Sequence, residues 1–198
     1  MTEREKTMEK MEQMILKEGK VLPGGVLKVG SFLNQQVDIR FMKEIGDEIA
    51  RLYKDSGATK IITIEASGIP IAISAGFAMK LPVVYAKKHK GSNIASDVYS
   101  VPVKSFTHGD TNNVVVTKEF ISPEDRILIV DDFLAHGSAL TGLITIVEQA
   151  GATVVGCAAA IEKGFQNGGD ALREKGYRVE SLAIIDEMTD EGVTFRKQ

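Results

Sequence analysis

The first part of the chain carries apolar residues at helical spacing. Met8, Met11 and Ile15 recur between charged residues, which predicts a short amphipathic helix. Asp38 is a residue type that caps helices, and the apolar positions after it predict a second helix that ends near Lys54. The sequence between the two helices is irregular and contains the turn "LPGG", so short strands and loops are expected there. The apolar face of the second helix should pack against a sheet.

The rest of the chain alternates short apolar runs with helical patterns. The runs "KIITIE", "PVVYA", "RILIV" and "TVVGCAAAI" predict buried strands, a further strand begins at Tyr177, and helices are expected from Pro70 and up to about Ala150. Two polar or β-branched stretches, 98–103 and 114–117, predict a hairpin. Continuously apolar strands separated by helices are typical of an α/β fold with a mostly parallel sheet flanked by helices. Ligands of such sheets bind beyond the carboxyl ends of the strands.

Length and charge narrow the class of protein. The 198 residues fit one domain, 1–198, and hydrophobic and charged residues make up 43% and 26% of the chain, which is typical of a globular core. A net charge of -3 argues against a protein whose main partner is a nucleic acid. The single cysteine, Cys157, excludes an intrachain disulfide, and no apolar run is long enough to predict a membrane span. We therefore expect a cytoplasmic protein that acts on small molecules and binds neither nucleic acid nor membrane.

The stretch "ILIVDDFLAHGSAL" places two adjacent acids between an apolar strand and a turn of small residues. Asp131 and Asp132 can be ordinary cap and turn residues, or they can bind the two hydroxyls of a ribose or help to hold a divalent cation. The turn after them leads into a helix, whose first backbone N–H groups favour a phosphate. Gly137 allows close approach of the backbone, and the Ser138 hydroxyl can donate as well. Together the acids and the turn predict a site for a ribose phosphate.

The same stretch resembles the phosphoribosyl-pyrophosphate (PRPP) motif of the type I phosphoribosyltransferases. The resemblance implies catalytic roles for Asp131 and Asp132, and binding of the 5'-phosphate by the loop after them. The family usually has threonines where this chain has His136 and Ala139, which leaves the Ser138 hydroxyl and the backbone amides to hold the phosphate. The loop residues implied in PRPP binding are Ala135, His136, Gly137, Ser138 and Ala139.

The stretch "ITIEASGI" is similar to the pyrophosphate loop of the family. The resemblance implies that four further residues bind PRPP near its diphosphate, namely Glu65, Ala66, Ser67 and Gly68. It also implies Mg²⁺ as the cofactor, bound mainly through that diphosphate rather than by protein ligands. The three histidines are scattered along the chain and predict no dedicated zinc site.

The stretch "AKKHKGS" is similar to the basic segment with which the family reaches the diphosphate in a dimeric site. The resemblance implies a homodimer in which Lys87, Lys88 and Lys90 reach the neighbouring site, with Lys88 in a catalytic role. By charge pattern alone, the same run is typical of a solvated loop.

The resemblance extends over nearly the whole chain from Met8, and the order of its parts is most similar to family members that use xanthine. Such members have an N-terminal hood over the base, which here would comprise about 8–37 together with C-terminal elements. In "VLKVGSFLNQQVD" the resemblance implies xanthine contacts for Leu27 and Asn34, and in "IEKGFQ" it implies one for Lys163. Lysine and the asparagine amide are donors, which the two oxo groups of xanthine require.

Two further features concern the surroundings of the base. Phe133 and Phe165 are equal candidates for stacking on the purine, and both residues are equally compatible with core packing. The polar hairpin at 100–117 is a candidate lid that would close over the site.

The activity that the resemblance implies is purine salvage, in which ribose 5-phosphate passes from PRPP to N9 of xanthine and gives xanthosine 5'-monophosphate and pyrophosphate. A guanine or hypoxanthine transferase is the nearest alternative, because the same lysine would serve their 6-oxo group and an asparagine amide can flip to suit either 2-substituent. A non-catalytic regulator that senses PRPP on the same fold is a second alternative. The acidic charge and the absence of an added helix-turn-helix segment argue against it. A nucleotide-binding protein of another α/β family would need a glycine-rich or Walker motif that this sequence does not contain.

Overall fold

Helices and strands alternate along the chain as the apolar periodicity predicts. The structure is a computed structural model, and it describes residues 3–89, 96–104, 111–189 and 192–197. None of the described helices is long and apolar enough to cross a membrane. In chain order the elements are α1 (Glu3–Glu18), β1 (Lys20–Leu22), β2 (Val26–Lys28), α2 (Ile39–Leu52), β3 (Lys60–Ile64), α3 (Gly68–Met79), β4 (Val83–His89), β5 (Val98–Lys104), β6 (Thr111–Thr117), β7 (Arg126–Leu134), α4 (Ser138–Gln149), β8 (Thr153–Lys163), α5 (Gly168–Glu174), β9 (Val179–Thr189) and β10 (Gly192–Phe195), with short 3-10 helices at Lys118–Phe120 and Gly164–Gln166.

Eight of these strands form one sheet in the order β10-β9-β8-β7-β3-β4-β6-β5. The strands from β9 to β4 in that order are parallel to their neighbours. β10 pairs antiparallel with β9, and β6 pairs antiparallel with both β4 and β5. The prediction of a mostly parallel sheet flanked by helices is therefore confirmed. The predicted hairpin is β5–β6, in which Val98 pairs with Thr117.

Two apolar cores hold the helices against the sheet. One core joins Ile61 and Leu128 of the sheet to Ile45 of α2. The other joins Ile62 of the sheet to Leu143 of α4. Successive side chains of a strand point to opposite faces, so the consecutive apolar residues of β3 contribute to both cores. This is why the central strands read as continuous apolar runs in the sequence.

The N-terminal segment packs beside the sheet. Met11 of α1 is fully buried, and this helix contacts α2, β9 and β10. β1 and β2 form a separate two-stranded sheet in which Val21 pairs with Leu27. Asp38 caps α2 as predicted, since its side chain accepts hydrogen bonds from two backbone N–H groups of the first turn, at 3.0 and 3.1 Å. The cap fixes the direction in which the segment enters α2.

β7 is longer than the sequence predicts. The apolar run predicts a strand that ends before the two acids, but β7 continues through Asp131 and Asp132 to Leu134. Its parallel pairing with β8 extends from Arg126 to Leu134, and this pairing keeps the backbone extended beyond the apolar run. Both acids are therefore part of the sheet.

Candidate active site

A cavity of about 630 Å³ opens where β3, β4, β7 and β8 end. This is the edge at which parallel sheets with covering helices bind ligands. The sheet brings together at this edge segments that are far apart in the chain. The residues of the predicted site that line the cavity are Leu27, Asn34, Glu65, Ser67, Lys88, Asp131, Asp132, Ala135, His136, Gly137, Ser138, Ala139 and Lys163.

Asp131 and Asp132 are adjacent in the cavity wall, with only 4% and 9% of their surfaces exposed. The backbone N–H of Asp132 donates to Oδ1 of Asp131 over 2.9 Å. Burial, together with the nearby charge of Asp132, raises the pKa of Asp131 well above its ordinary value. Because both acids lie in a strand, the interpretation as turn residues does not apply. A buried carboxyl group with a perturbed pKa beside a second carboxyl group in a cleft is typical of a functional site.

Asn34 connects the N-terminal segment to the acid pair. Its Nδ2 donates to Oδ2 of Asp132 over 2.9 Å, although the two residues are 98 positions apart in the chain. A carboxyl oxygen accepts this bond, so the nitrogen side of the Asn34 amide faces Asp132. The sequence leaves the orientation of this amide open, and the fold supplies the partner that sets it.

Lys163 connects the end of β8 to the turn between β1 and β2. Its Nζ donates to the carbonyl oxygen of Gly25 over 2.8 Å. The residue is only 5% exposed, and this burial lowers the pKa of its ammonium group. Leu27, on the same hairpin as Gly25, is buried and lines the cavity. The three residues implied in xanthine binding, Leu27, Asn34 and Lys163, therefore line the same cavity.

The two aromatic candidates occupy different environments. Phe133 lines the cavity, and the centroid of its ring lies 5.6 Å from Nζ of Lys163, within the range of a cation–π contact. Phe165 lies in the 3-10 helix after β8, is 39% exposed and is not part of the cavity lining. The geometry therefore favours Phe133 for stacking on a base.

Residues 135–139, here called the phosphate loop, lead from β7 directly into α4. Gly137 has a φ of +80°, a left-handed conformation that glycine adopts without steric cost. α4 begins at Ser138, so the unpaired backbone N–H groups of its first turn lie beside the cavity. Such a helix start attracts anions through its N–H groups and its dipole.

The loop after β3 lies next to the acid pair. Ser67 lines the cavity, whereas Ala66 and Gly68 lie outside its lining, and the peptide bond that precedes Ala66 is cis. A Cβ on Gly68 would lie 2.8 Å from Oδ1 of Asp131, closer than carbon and oxygen atoms pack. Glycine at this position therefore lets the loop approach Asp131.

Lys88 lines the cavity, and Glu65 fixes the strand that carries it. The backbone N–H of Glu65 donates to the carbonyl oxygen of Ala86 over 3.0 Å, and Oε1 of Glu65 accepts from the backbone N–H of Lys88 over 2.6 Å. Lys87 lines a second cavity of about 330 Å³ instead, because successive side chains of β4 point to opposite faces. Lys90 lies outside the described residues.

The β5–β6 hairpin supplies wall residues that the sequence does not assign to the site. Val103, Asn112 and Val114 line the cavity, because β6 pairs with β4 and places the hairpin beside the cavity. The β-branched pattern predicts the hairpin but not the strand beside which it lies, since that pairing depends on distant residues. The remaining unassigned lining residues are Val26, Ile64, Leu134 and Leu140.

The donor set of the cavity bears on how a metal ion could be held. Among the described residues, no group of three or more His, Cys, Asp or Glu side chains could hold a metal ion by itself. Mg²⁺ needs few protein ligands, because most of its oxygen ligands come from phosphates and water and only one or two are carboxylates. Asp131 and Asp132 are two carboxyl groups in the cavity wall. This donor set fits a magnesium ion that arrives with a diphosphate.

Comparison with known proteins agrees with this geometry. The family described as "Phosphoribosyl transferase domain" matches residues 35–181. A xanthine phosphoribosyltransferase of Brevibacillus brevis is 48% identical over 95% of this chain and 96% of its own, and that of Lachnoclostridium phytofermentans is 50% identical over 94% and 96%.

Solved structures share the fold at low sequence identity. The adenine phosphoribosyltransferase of Thermoanaerobacter pseudethanolicus superposes with a TM-score of 0.71 at 20% identity, covering 89% of this chain and 98% of its own. The enzyme of the same name from Trypanosoma brucei superposes with a TM-score of 0.75 at 18% identity, covering 94% and 82%. At such identities the superpositions establish the fold alone, whereas the family match and the close relatives show that the chain belongs to the phosphoribosyltransferase family.

Proposed function

We propose that this protein is a purine salvage enzyme that transfers ribose 5-phosphate from PRPP to N9 of xanthine, giving xanthosine 5'-monophosphate and pyrophosphate. The observation that carries the proposal is the meeting of Asn34 and Lys163 with the acid pair and the phosphate loop in one cavity. Relatives named for xanthine that are 46–50% identical to this chain support the choice of base. One cavity that holds both substrates provides the proximity that a transfer between them requires.

The phosphate side of the cavity would bind PRPP. The phosphate loop holds the 5'-phosphate through the backbone N–H groups at the start of α4 and the Ser138 hydroxyl. Asp131 and Asp132 bind the ribose hydroxyls, and Lys88 neutralises the departing diphosphate. Asp131 and Asp132 would be the residues that help to hold a Mg²⁺ ion bound with the diphosphate, and that ion would supply further positive charge to the leaving group. The bond from the anomeric carbon to the diphosphate breaks as the bond to N9 forms, and the imidazole ring of xanthine releases its proton, so no protein nucleophile is required.

The base side of the cavity would select an oxopurine. Lys163 lines the cavity, and its Nζ is a hydrogen-bond donor of the kind that the 6-oxo group of the base requires. Adenine has an amino group at this position, which cannot accept that bond. Asn34 uses one amide N–H on Asp132, so a second N–H remains for the 2-oxo group of xanthine. Phe133 stacks on the purine ring.

Two segments would exclude water from the reaction. The N-terminal segment of about 8–37 acts as a hood, since its hairpin meets Lys163 and its Asn34 meets the acid pair. The β5–β6 hairpin already forms one wall of the cavity, so a small movement of this hairpin closes the site as a lid. The reaction takes place in the cytoplasm, in agreement with a single cysteine that is free and buried.

The same proposal includes a homodimer formed through α3 and β4. These elements expose three large apolar side chains, with Ile73, Phe77 and Tyr85 at 43%, 82% and 46% exposure. Lys87 lies on this side, where it shares the smaller cavity with Tyr85. Lys87 rather than Lys88 would therefore reach the neighbouring site, since Lys88 lines the cavity of its own chain. Lys90 retains the same expected role as Lys87.

Subunit mixing tests the dimer and the reach of Lys87. Lys87→Ala and Asp132→Asn proteins, each with reduced activity, should regain activity when they are mixed and allowed to exchange, because one hybrid site then has both native residues. A monomeric wild-type protein in light scattering, or a mixture no more active than its components, would contradict this part of the proposal.

The main experiment measures pyrophosphate release from PRPP and Mg²⁺ with xanthine, guanine, hypoxanthine and adenine supplied separately at equal concentration. We expect xanthine to be the best substrate and adenine to give no product. A preference for guanine or hypoxanthine would keep the PRPP site and contradict the assignment of the base. No release with any base, together with PRPP binding by calorimetry, would favour the non-catalytic regulator.

A further inference from the structure

An ion pair between a buried glutamate and a partly exposed arginine anchors α5 to β8. Glu162, at the end of β8 and directly before Lys163, has no exposed surface. Arg173 of α5 donates to both of its carboxylate oxygens, at 2.8 and 2.7 Å, and the Ser181 hydroxyl donates to one of them at 2.5 Å. A buried carboxylate stays charged only with such partners, and the planar guanidinium fixes its orientation through two parallel bonds. The pair therefore forms a rigid support under this part of the chain.

Two glycines separate this support from the phosphate loop. A Cβ on Gly169 would collide with the carboxylate of Glu162. A Cβ on Gly168 would collide with the carbonyl oxygen of Ala135 and would lie 2.6 Å from the backbone nitrogen of Gly137. The backbone at these two positions is therefore in direct contact with the ion pair on one side and with the phosphate loop on the other. Any side chain at either position would have to displace one of its neighbours.

His136 makes a second connection between the same segments. Its ring Nδ1 lies 3.3 Å from the carbonyl oxygen of Gln166, within hydrogen-bonding distance. Residues 166–169, here called the platform, thus contact the phosphate loop both through the Gly168 backbone and through the Gln166 carbonyl group. The platform is a single layer of backbone between the loop and the Glu162–Arg173 pair.

The support extends to the last described residues of the chain. Asp170 accepts hydrogen bonds from Arg173 at 3.0 Å and from Arg196 at 3.1 Å. Arg196 also donates to Asp186 of β9 at 2.9 Å. The start of α5 is consequently held by charged groups from β8, β9 and the segment after β10, which is more anchoring than a helix of this length obtains from its own hydrogen bonds.

We infer that Arg173 is a positioning residue for the phosphate loop and that it acts through Gly168. The inference rests on the proposed function, because it takes the phosphate loop to hold the 5'-phosphate of PRPP. Backbone N–H groups have no side-chain freedom with which to correct an error in position, and hydrogen bonds weaken steeply outside a narrow range of distance and angle. A displaced platform therefore weakens PRPP binding while it leaves the contacts of Asn34 with the base in place.

The test uses two variants of the platform and one control. Gly168→Ala adds a Cβ that would collide with the phosphate loop. Arg173→Lys keeps the positive charge but loses the bidentate hydrogen bonds to Glu162. Gly176→Ala is the matched control, because Gly176 follows the same helix, has a φ of +89° and would place an added Cβ more than 4 Å from the atoms of the described residues around it. This control strains the backbone and lowers stability without contact with the loop.

Both platform variants should raise the KM for PRPP on the order of tenfold, while the KM for xanthine stays within about twofold and the control changes neither. If Gly168→Ala does not fold, Arg173→Lys alone decides the result. A KM for PRPP that is unchanged in the folded platform variants, or raised equally in Gly176→Ala, would overturn the inference. Wild-type protein without turnover of PRPP would refute the proposed function and this inference together, whereas normal wild-type turnover with unchanged variants would refute this inference alone.

Discussion

The phosphate side and the base side of the cavity are built in different ways. The phosphate side comes mainly from one continuous stretch, 131–139, and relies largely on backbone groups at a helix start. The base side joins distant parts of the chain through two hydrogen bonds of side chains, from Asn34 to Asp132 and from Lys163 to Gly25. The first side is local and combines the acid pair with backbone groups, whereas the second side depends on a few side chains from distant segments.

This difference predicts which substitutions affect the use of PRPP and which affect the choice of base. A change in the acid pair should impair the reaction with every base, because the ribose is common to all of them. A change in Lys163 or Asn34 should alter the choice of base more than the use of PRPP. Asn34 is the point at which the two sides meet, since it lines the base side and binds Asp132.

The largest effect is expected for Asp132→Asn. The substitution removes a charge that orients the ribose and replaces the acceptor of the Asn34 amide with a group of the same shape. We expect kcat/KM for PRPP to fall by at least about 100-fold with xanthine saturating, while the melting temperature changes little. Pyrophosphate release measures the first quantity and thermal unfolding the second. PRPP use at the wild-type level would eliminate the proposed ribose role.

Lys163→Met should have the next largest effect, and it should fall on base selection. Loss of the donor to the 6-oxo group should lower kcat/KM for xanthine by about 10- to 100-fold and shrink the discrimination against adenine. Lys60→Met is a matched control, because Lys60 is also a partly buried lysine but lies at the start of β3, away from the cavity. There it forms an ion pair with Asp125 at 2.6 Å. The control should lose stability and keep its preference among purines. An unchanged preference in Lys163→Met would remove this lysine from the base site.

Asn34→Ala should raise the KM values for xanthine and for PRPP together, by smaller factors. The variant removes one hydrogen bond, and such a bond contributes about 0.5–1.5 kcal/mol. A double-mutant cycle with Asp132→Asn should give a coupling energy of about 1 kcal/mol in kcat/KM, because Asn34→Ala removes the bond that Asp132→Asn weakens. Strictly additive effects would show that the two sides of the cavity act independently.

The smallest expected effect is one of stability, for Asp131→Asn. Asp131 has a higher pKa in the folded protein than its ordinary value of 3.8, so the folded state binds more protons than the unfolded state above about pH 4. Its contribution to stability therefore decreases as the pH rises through that range. The asparagine side chain does not ionise, so the stability of the variant does not decrease in this way. We expect its melting temperature to exceed that of the wild type by a few degrees at pH 8. The difference should close towards pH 4, and a constant difference across the range would contradict the assigned ionisation.

Local periodicity is sufficient to predict most elements of the fold. The cap at Asp38 and the apolar run of β3 depend on neighbouring residues alone, so the sequence reveals them directly. Two features depend instead on strand pairing between distant segments, and no local pattern specifies that pairing. They are the placement of β6 beside β4 and the extension of β7 to Leu134. Strand alternation does contain the signal that Lys87 and Lys88 face opposite ways, once β4 is taken to continue through both.

The residues of the site also differ in how far the sequence predicts them. The acid pair and the phosphate loop form one contiguous motif, so the sequence identifies them together. The support under the loop has no such signal, because Glu162 and Arg173 read as ordinary surface charges until the fold buries one against the other. Likewise, the contact between Gly168 and the phosphate loop is visible only in three dimensions.

A crystal structure with xanthosine 5'-monophosphate tests the central claim most directly, because this one ligand spans both sides of the cavity. The account predicts the 5'-phosphate on the backbone N–H groups of the phosphate loop, the ribose hydroxyls on Asp131 and Asp132, and the 6-oxo group within hydrogen-bonding distance of Nζ of Lys163. The purine ring should lie against Phe133. A nucleotide bound with its base away from Lys163 and Asn34, or bound outside this cavity, would contradict the account.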